Sequence, residues 1–266
     1  MISVVAIVLA AGKGTRMNSS LPKVLHEVAG ESMLSHVIKN LRAAGIDQIG
    51  LVLSEDVREF SAFLEANPDI SVCIQKERRG TADAVASSAA LFVDAIPPKY
   101  SQLKHWRGKL FKADNIIVCA GDTPAIPSKF YEQLLDFHSS EASDLTVVGM
   151  RMQNPAGYGR LVVKGKNRLE RIVEHKDASP KELEIDLCNS GVMMIKADLL
   201  FHWLEKVQPN NHQGEYYLTD CIEIANHENA RVLTMISEDS SFFAGVNNIE
   251  QKIAMERFLL AKNGSF

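Results

Sequence analysis

Apolar positions along this chain fall into short unbroken runs separated by stretches of helical spacing. Val4 to Ala11 is the first run, rich in β-branched residues. A strand covered on both faces reads this way, because alternation disappears when neither face meets water. Met33 to Ala44 has apolar residues at 33, 34, 37, 38 and 41, a helical spacing that Gly45 ends. Ile49 to Leu53 reads as a second buried strand, Val57 to Ala66 as a helix with Phe60, Phe63 and Leu64 inward, and Ser71 to Gln75 as a third strand. Gly80 to Val93, alanine-rich and opened by a glycine and a threonine, reads as a helix. Strand and helix alternate three times, which predicts βαβ units and a mostly parallel sheet with right-handed crossovers. Ligands of such sheets gather beyond the carboxyl ends of the strands. Gly12, Gln75 and Asp122 each stand where a predicted strand ends.

The rhythm changes in the second half. Pro97-Pro98 opens a basic stretch, Ile96 to Ala113, read as a surface excursion, before a further buried strand at Ile116 to Ala120 and a helix at Pro127 to Ser139. Leu145 to Met150, Gly159 to Val163 and Leu169 to His175 read as strands in quick succession, and short connections favour antiparallel pairing. This half is expected to extend the sheet and add hairpins. In Glu174-His175-Lys176-Asp177, strand alternation would send Glu174 and Lys176 to one face and His175 and Asp177 to the other. Ala197 to Val207 and Asp220 to His227 read as helices, Arg231 to Ile236 as a strand. Ile249 to Lys262 reads as a closing helix with apolar residues at 249, 253, 254, 258, 259 and 260.

Bulk numbers narrow the class without naming a function. With 266 residues, 46% hydrophobic and 23% charged, the chain has the makeup of a soluble globular protein of one large domain or two small ones. A net charge of −4 argues against non-specific nucleic-acid binding. No apolar segment approaches the ~20 residues that span a bilayer. The N-terminal run is too short for a membrane helix and lacks a basic region before it. Cys73, Cys119, Cys188 and Cys221 form no C-x-x-C pair and read as small buried hydrophobes of a reducing, cytoplasmic setting. No repeat, and no hexapeptide array, is present.

The positive charge that matters is local. The first run stops at Gly12-Lys13-Gly14, and Lys13, Arg16 and Lys23 precede the first acidic residue, Glu27. A glycine turn lets backbone N–H groups approach an anion closely, and three fixed cations at the end of a buried strand supply its countercharge, so this is a place for a phosphate chain. Asp122, directly after a buried strand and Gly121, is sited either to hold a divalent cation against phosphates or to cap the following turn.

Leu9-Ala-Ala-Gly-Lys-Gly-Thr-Arg-Met17 followed by Leu21-Pro-Lys-Val-Leu-His26 resembles the signature of the sugar-phosphate nucleotidyltransferases. The likeness is greatest to the uridylyltransferase half of the bifunctional enzymes that act on N-acetylglucosamine-1-phosphate. A P-loop and a dinucleotide fingerprint are both absent. Gly157-Tyr-Gly-Arg160, Asn189-Ser-Gly191 and above all Gly214-Glu-Tyr-Tyr-Leu-Thr-Asp220 match the acceptor-sugar half of the same family. The resemblance implies an α/β fold, a Rossmann-like three-layer mixed sheet of the glycosyltransferase-A-like kind, without a left-handed β-helix. It divides residues 1–248 into a nucleotide-binding part, to about 125, and a sugar-binding part, followed by a C-terminal helix over 249–266.

The implied reaction joins UTP and N-acetylglucosamine-1-phosphate into UDP-N-acetylglucosamine and pyrophosphate, without acetyltransferase activity and with no nucleic-acid or membrane partner. By resemblance Leu9, Ala10, Ala11, Gly12, Lys13, Gly14, Thr15, Arg16, Gln75, Gly80 and Thr81 bind the nucleotide, with Gln75, Gly80 and Thr81 reading uracil through a bidentate amide. Arg16 and Lys23 are the implied catalytic residues, and Asp122 and Asn247 the ligands of Mg²⁺. Gly159, Glu174, Lys176, Asn189, Tyr217 and Thr219 are the implied sugar contacts. Ala120 departs from the family, which usually has an aromatic or polar residue there. Two alternatives stay open. One is a sister enzyme for another sugar or base, since Gly80-Thr-Ala-Asp-Ala84 also occurs in relatives that handle glucose-1-phosphate. The other is a non-catalytic nucleotide-sugar sensor.

Overall fold

A computed structural model describes residues 2–12, 14–17, 19–96, 98–99 and 104–263. In chain order the elements are β1 (Val4–Leu9), a small hairpin of β2 (Glu27–Val28) and β3 (Glu31–Ser32), α1 (Met33–Ala43), β4 (Gln48–Leu53), α2 (Ser61–Glu65), β5 (Ser71–Ile74), α3 (Thr81–Ser87), β6 (His105–Arg107) and β7 (Asn115–Ala120). There follow α4 (Ser128–Ser140), β8 (Leu145–Arg151), β9 (Arg160–Lys164), β10 (Arg168–Val173), α5 (Pro180–Leu183), β11 (Leu187–Lys196), α6 (Ala197–Leu204), α7 (Asp220–His227), β12 (Val232–Ser237) and α8 (Ile249–Asn263).

Ten strands form one sheet in the order β6-β5-β4-β1-β7-β11-β8-β12-β10-β9. β5, β4, β1 and β7 run parallel, as the βαβ rhythm predicts. Their carboxyl ends bring the loops after Leu9, Ile74 and Ala120 to one edge. β11 then runs antiparallel between β7 and β8, and β12 lies parallel to β8. β9 and β10 add an antiparallel hairpin at the far edge.

β1 is buried on both faces, with Val5, Ala6, Ile7 and Val8 all at 0% exposure. Period-two alternation divides them: Val5 and Ile7 join the core under α3, α6 and α7, whereas Ala6 and Val8 join the core under α1 and α4. The result is three layers, helices over both faces of a mixed sheet. Each face carries a dense apolar core; truncating a fully buried leucine such as Leu51 to alanine should cost about 2–5 kcal/mol. α1 is capped by Ser32, whose hydroxyl accepts from the Ser35 N–H. It ends at Gly45, whose φ of 79° permits the Ile46 N–H to reach back to the Leu41 carbonyl.

Several expectations shift. The helix expected over 57–66 is a 3₁₀ turn, Val57–Phe60, running into the short α2, and the one expected over 80–93 is α3 followed by a 3₁₀ turn, Ser88–Leu91. The basic excursion contains β6, an antiparallel edge strand against β5. β11 was not anticipated as a strand, although it is the longest in the sheet and contains Asn189-Ser190-Gly191. Glu174 to Asp177 is a turn after β10 rather than its continuation, closed by the Asp177 N–H on the Glu174 carbonyl at 2.9 Å, so the predicted alternation does not hold there. On α8 the packing face is Met255, Phe258 and Leu259, set against Val28, Met33 and Val246. Ile249, Ile253 and Leu260 are exposed. All four cysteines are buried and free. No helix among the described residues is long and apolar enough to cross a membrane.

Candidate active site

The glycine turn closes over the start of the next segment. Gly14 has a φ of 60°, and a Cβ there would lie 2.6 Å from the Lys23 Cβ, so only glycine admits this approach. The Gly14 carbonyl accepts from the Met17 N–H at 2.9 Å, folding residues 15–17 into a 3₁₀ turn that leaves Arg16 exposed and without an ion pair among the described residues. Leu9, Ala10 and Ala11 line the turn's inner side through backbone; the Leu9 carbonyl accepts from Gly121 and the Ala10 N–H donates to Val52, each at 2.9 Å. Gly12 is exposed at the mouth. Lys13 lies outside the described residues, as does the side chain of Thr15.

Three predicted residues meet at one point. The ammonium of Lys23 donates to the Asp122 carboxylate and, at 2.8 Å, to Asn247 Oδ1. The Lys23 and Asp122 side chains are only 13% and 15% exposed. The Val246 N–H binds the Asp122 carbonyl at 3.0 Å, and Gln251 caps the Asn247 N–H at 2.7 Å, so the start of α8 is fastened onto the loop after β7. Asp122 Oδ2 and Asn247 Oδ1 are hard oxygen donors already aimed at a single cation, here an ammonium standing where a metal ion could. That arrangement fits Mg²⁺, which takes one or two protein oxygens and completes its shell with phosphates and water. No group of three or more His, Cys, Asp or Glu suited to a metal is found among the described residues.

The loop after β5 faces the turn. Gln75 is 4% exposed, and its Nε2 donates to Asp83 Oδ2 at 2.9 Å and to the Gly80 carbonyl at 3.3 Å. Both amide hydrogens are therefore engaged. The Gln75 carbonyl oxygen has no partner among the described residues, so in this arrangement the side chain faces a ligand as an acceptor. Gly80 has a φ of 120°, and a Cβ there would sit 2.3 Å from the Tyr216 carbonyl oxygen. Tyr216 in turn binds both sides of Gly80: its N–H to the Arg79 carbonyl at 2.7 Å, its carbonyl to the Ala82 N–H at 2.9 Å. The Thr81 hydroxyl accepts from the Leu218 N–H at 3.0 Å. The expected nucleotide loop and the Gly214–Asp220 string are thus stitched together through backbone.

Beyond them lies an acidic end. Gly159 makes room for Glu174, whose two carboxylate oxygens would lie 3.3 Å from a Cβ at that position. Thr219 donates to Glu174 at 3.2 Å. Burial raises the Glu174 carboxyl above its usual range, against the lowering effect of the Thr219 hydroxyl. Burial, then repulsion from Glu223, Glu174 and Asp177, pushes Asp220 up to about 6. Tyr217 is 8% exposed and its hydroxyl accepts from Gln213 at 2.5 Å, while Lys176 donates to Gln213 Oε1 at 2.6 Å. Lys176, Gln213 and Tyr217 form a chain across this end. Asn189 spends its side-chain oxygen on the Gly191 N–H at 3.0 Å and its backbone N–H on the Gly159 carbonyl at 2.9 Å. The geometry gathers Lys23, Asp122 and Asn247 at one point and Glu174, Thr219 and Gly159 at another.

Sequence reasoning missed three residues. Arg78 donates from Nε to the Ala11 carbonyl at 2.7 Å, carrying a guanidinium to the phosphate turn. Asp83, 2% exposed, binds Gln75 on one oxygen and Arg79, at 2.9 Å, on the other. Arg79 also stands over the Tyr216 ring, 5.7 Å from its centre. The Arg79–Asp83 pair has i, i+4 spacing, a signal readable in advance; Arg78 carried none.

Residues 6–181 match the family model of the MobA-like NTP transferase domain. Among curated relatives, the bifunctional protein GlmU of Pelobacter propionicus is 37% identical over 259 residues, 97% of this chain and 53% of the relative. The protein of the same name from Azorhizobium caulinodans is 37% identical over 258 residues, with 97% and 53% covered. That from Clostridium botulinum is 36% identical over 230 residues, with 85% and 46% covered. The chain spans about half the length of the curated relatives it matches. Two solved structures, each only 15% identical, share the fold at a TM-score of 0.73. One is a putative glucose-1-phosphate thymidylyltransferase from Bacillus anthracis in complex with a sucrose, with 96% of this chain and 95% of that one aligned. The other is UDP-glucose pyrophosphorylase complexed with UDP-glucose, with 98% and 100% aligned.

Proposed function

Because the chain belongs to the family of MobA-like NTP transferases, we propose that it transfers a uridylyl group from UTP to N-acetylglucosamine-1-phosphate, releasing pyrophosphate and forming UDP-N-acetylglucosamine. The observation that carries this reading is the convergence of Lys23, Asp122 and Asn247 beside the glycine turn. That grouping has a use where phosphates and a divalent cation meet, and a sensor that only binds would not need it. The Gly214–Asp220 string, bound to the loop around Gly80, supports the choice of sugar.

A sugar phosphate is already a nucleophile at neutral pH, so no general base is required. The protein must align its oxygen with the α-phosphorus and neutralise the charge that develops on the pyrophosphate. In this reading the backbone from Leu9 to Gly14, with Lys13 and Thr15, receives the triphosphate, and Arg16, exposed at the turn, meets the leaving charge. Lys23 bridges the α-phosphate and the incoming phosphate. Asp122 and Asn247 would hold Mg²⁺, which when bound orients the phosphates and offsets their charge. Gln75, Gly80 and Thr81 form the base end. Gly159, Glu174, Asn189, Lys176, Tyr217 and Thr219 form the sugar end, with Glu174 able to accept from sugar hydroxyls. The nucleotide part to about residue 125 and the sugar part to 248 act on one sheet, in a reducing, cytoplasmic setting.

Pyrophosphate release from purified protein with UTP, Mg²⁺ and N-acetylglucosamine-1-phosphate tests this, with glucose-1-phosphate, CTP and dTTP alongside and EDTA as blank. EDTA-sensitive release confined to UTP and the N-acetylated sugar is the expected result. Release with glucose-1-phosphate would favour the reading that Gly80-Thr81-Ala82-Asp83-Ala84 also supports, a sister enzyme for another sugar. Tight UTP binding without release from any pair would overturn transfer in favour of the sensor.

A further inference from the structure

The first turn of α3 and the i, i+4 pair with Arg79 account for one carboxylate oxygen of Asp83, but not for the other. Asp83 lies in that first turn, whose neighbouring buried positions are Ala82, Ala84, Val85 and Ala86, and it is 2% exposed. A carboxylate in such surroundings costs several kcal/mol unless its oxygens are all used. Here they have separate tasks: Oδ1 accepts from Arg79 at 2.9 Å, and Oδ2 accepts from Gln75 Nε2 at 2.9 Å. Gln75 Nε2 also reaches the Gly80 carbonyl at 3.3 Å. Both of its partners are acceptors. The two ends of the Gln75 amide are therefore not interchangeable, since turning it over would set Oε1 against a carboxylate and a carbonyl oxygen. Oε1 has no partner among the described residues, nor is it among the buried unpaired polar atoms. It stands at the end of β5, on a loop that Arg78 ties to the phosphate turn at Ala11.

We propose that Asp83 is a positioning residue for base recognition: by engaging the Gln75 amide nitrogen it presents Gln75 as a hydrogen-bond acceptor only. The site then selects a base offering a ring N–H, as the uracil imide does, over one with a bare ring nitrogen, as in cytosine. Two acceptors facing one another repel, and a site built around one hydrogen bond rejects the analogue that cannot make it. This inference rests on the nucleotide reading above and names the edge by which the base is chosen.

The test is steady-state pyrophosphate release with UTP, 3-methyl-UTP and CTP for the wild type, Asp83→Asn and the smaller Asp83→Ser, with the unfolding midpoint of each protein. The wild type should prefer UTP over 3-methyl-UTP, in which an N-methyl group replaces the ring N–H, on the order of 10²-fold in kcat/KM. In Asp83→Asn the residue at 83 can itself turn and donate, so the shorter of the two contacts no longer fixes the Gln75 amide and only the Gly80 carbonyl, at 3.3 Å, still opposes its turning. The UTP to CTP ratio should then contract about tenfold through the nucleotide KM, with kcat held within about twofold, a split that a loss of folded protein would not give. Equal use of UTP and 3-methyl-UTP by the wild type overturns the inference and leaves uridylyl transfer standing. An unchanged UTP to CTP ratio in a folded Asp83 variant does the same. A wild type that uses no uridine nucleotide overturns the proposed activity, and this inference with it.

Discussion

Lys23 places its ammonium against the Asp122 carboxylate, and the same ammonium binds Asn247 Oδ1 at 2.8 Å. Two cations cannot share this pair of oxygens at contact distance, because like charges about 4 Å apart repel by several kcal/mol in a partly buried site. Lys23 and a divalent metal should therefore compete. Lys23→Met is expected to bind Mn²⁺ on the order of tenfold more tightly than wild type in the absence of substrate, read by paramagnetic resonance, while turnover falls. Weaker Mn²⁺ binding in the variant would show that Lys23 and the metal do not contend for these atoms.

Arg16 is exposed and without an ion pair among the described residues, so its removal should leave the fold intact. Arg16→Ala is expected to lower kcat on the order of 10²–10³-fold with little change in unfolding midpoint, if its charge is used mainly in the transition state. Near-normal kcat would remove Arg16 from the catalytic group.

Gly80→Ala should damage both ends of the site. Its Cβ would lie 2.3 Å from the Tyr216 carbonyl, at a φ of 120° that side chains rarely adopt. Expected is a loss of about 1–3 kcal/mol in stability, from chemical denaturation, together with raised KM values for nucleotide and sugar phosphate.

His138 lies in the core between α4 and the sheet, 3% exposed, with Nδ1 2.9 Å from the Thr146 hydroxyl and Nε2 3.2 Å from Asn115 Oδ1. Burial, then the Lys196 charge, pushes it down to about 4, with Asp144 opposing. The unfolded chain would protonate near the ordinary 6.5, so between 6.5 and 4 it binds the proton that the folded state refuses. Stability contributed by the neutral ring is complete above that window and is lost as pH falls through it, by roughly 3 kcal/mol. His138→Gln should flatten this part of a denaturation series against pH.

Asp220 has the opposite sign. Its folded value, pushed up to about 6 by burial and by acidic neighbours, lies above the ordinary 3.8. The folded state holds the proton more tightly, so stability falls as pH rises across that interval. Asp220→Asn should raise the melting temperature at pH 7 to 8, and the gain should vanish below pH 4.

Much of the frame was legible because it depends on burial alone. β1, β4, β5 and β7 are short apolar runs separated by helical spacing, and a strand covered on both faces has few other ways to read. β11 was obscured because its outer half, Leu187 to Gly191, mixes polar and small residues, and its pairing with β8 shifts register between Asn189 and Met193. Its place between β7 and β8 is set by long-range pairing that no local window contains. In the site, Lys23 was legible as a phosphate countercharge and Asp122 as either a cation ligand or a cap, whereas Asn247 rested on resemblance alone, being by itself an ordinary turn residue. The structure adds that they meet. Asp83 and the orientation of Gln75 were hidden because the direction of a side-chain amide depends on what surrounds it, and Gly80, Asp83 and Gln75 come together only once the loop between β5 and α3 has closed.

The antiparallel seat of β11 also sets a timetable. During synthesis, β5, β4, β1 and β7 have all left the ribosome once residue 120 emerges, and they could pair at once. The outer edge of β7 nevertheless stays without a neighbour until Met193 to Lys196 arrive to cover Asn115 to Val118. An open edge of this kind, at the centre of the finished sheet, is where a stalled or truncated chain would pair with another copy instead. The half that carries the phosphate turn is thus made before its neighbour β11 and is the part most in need of shelter until residue 196 has been translated.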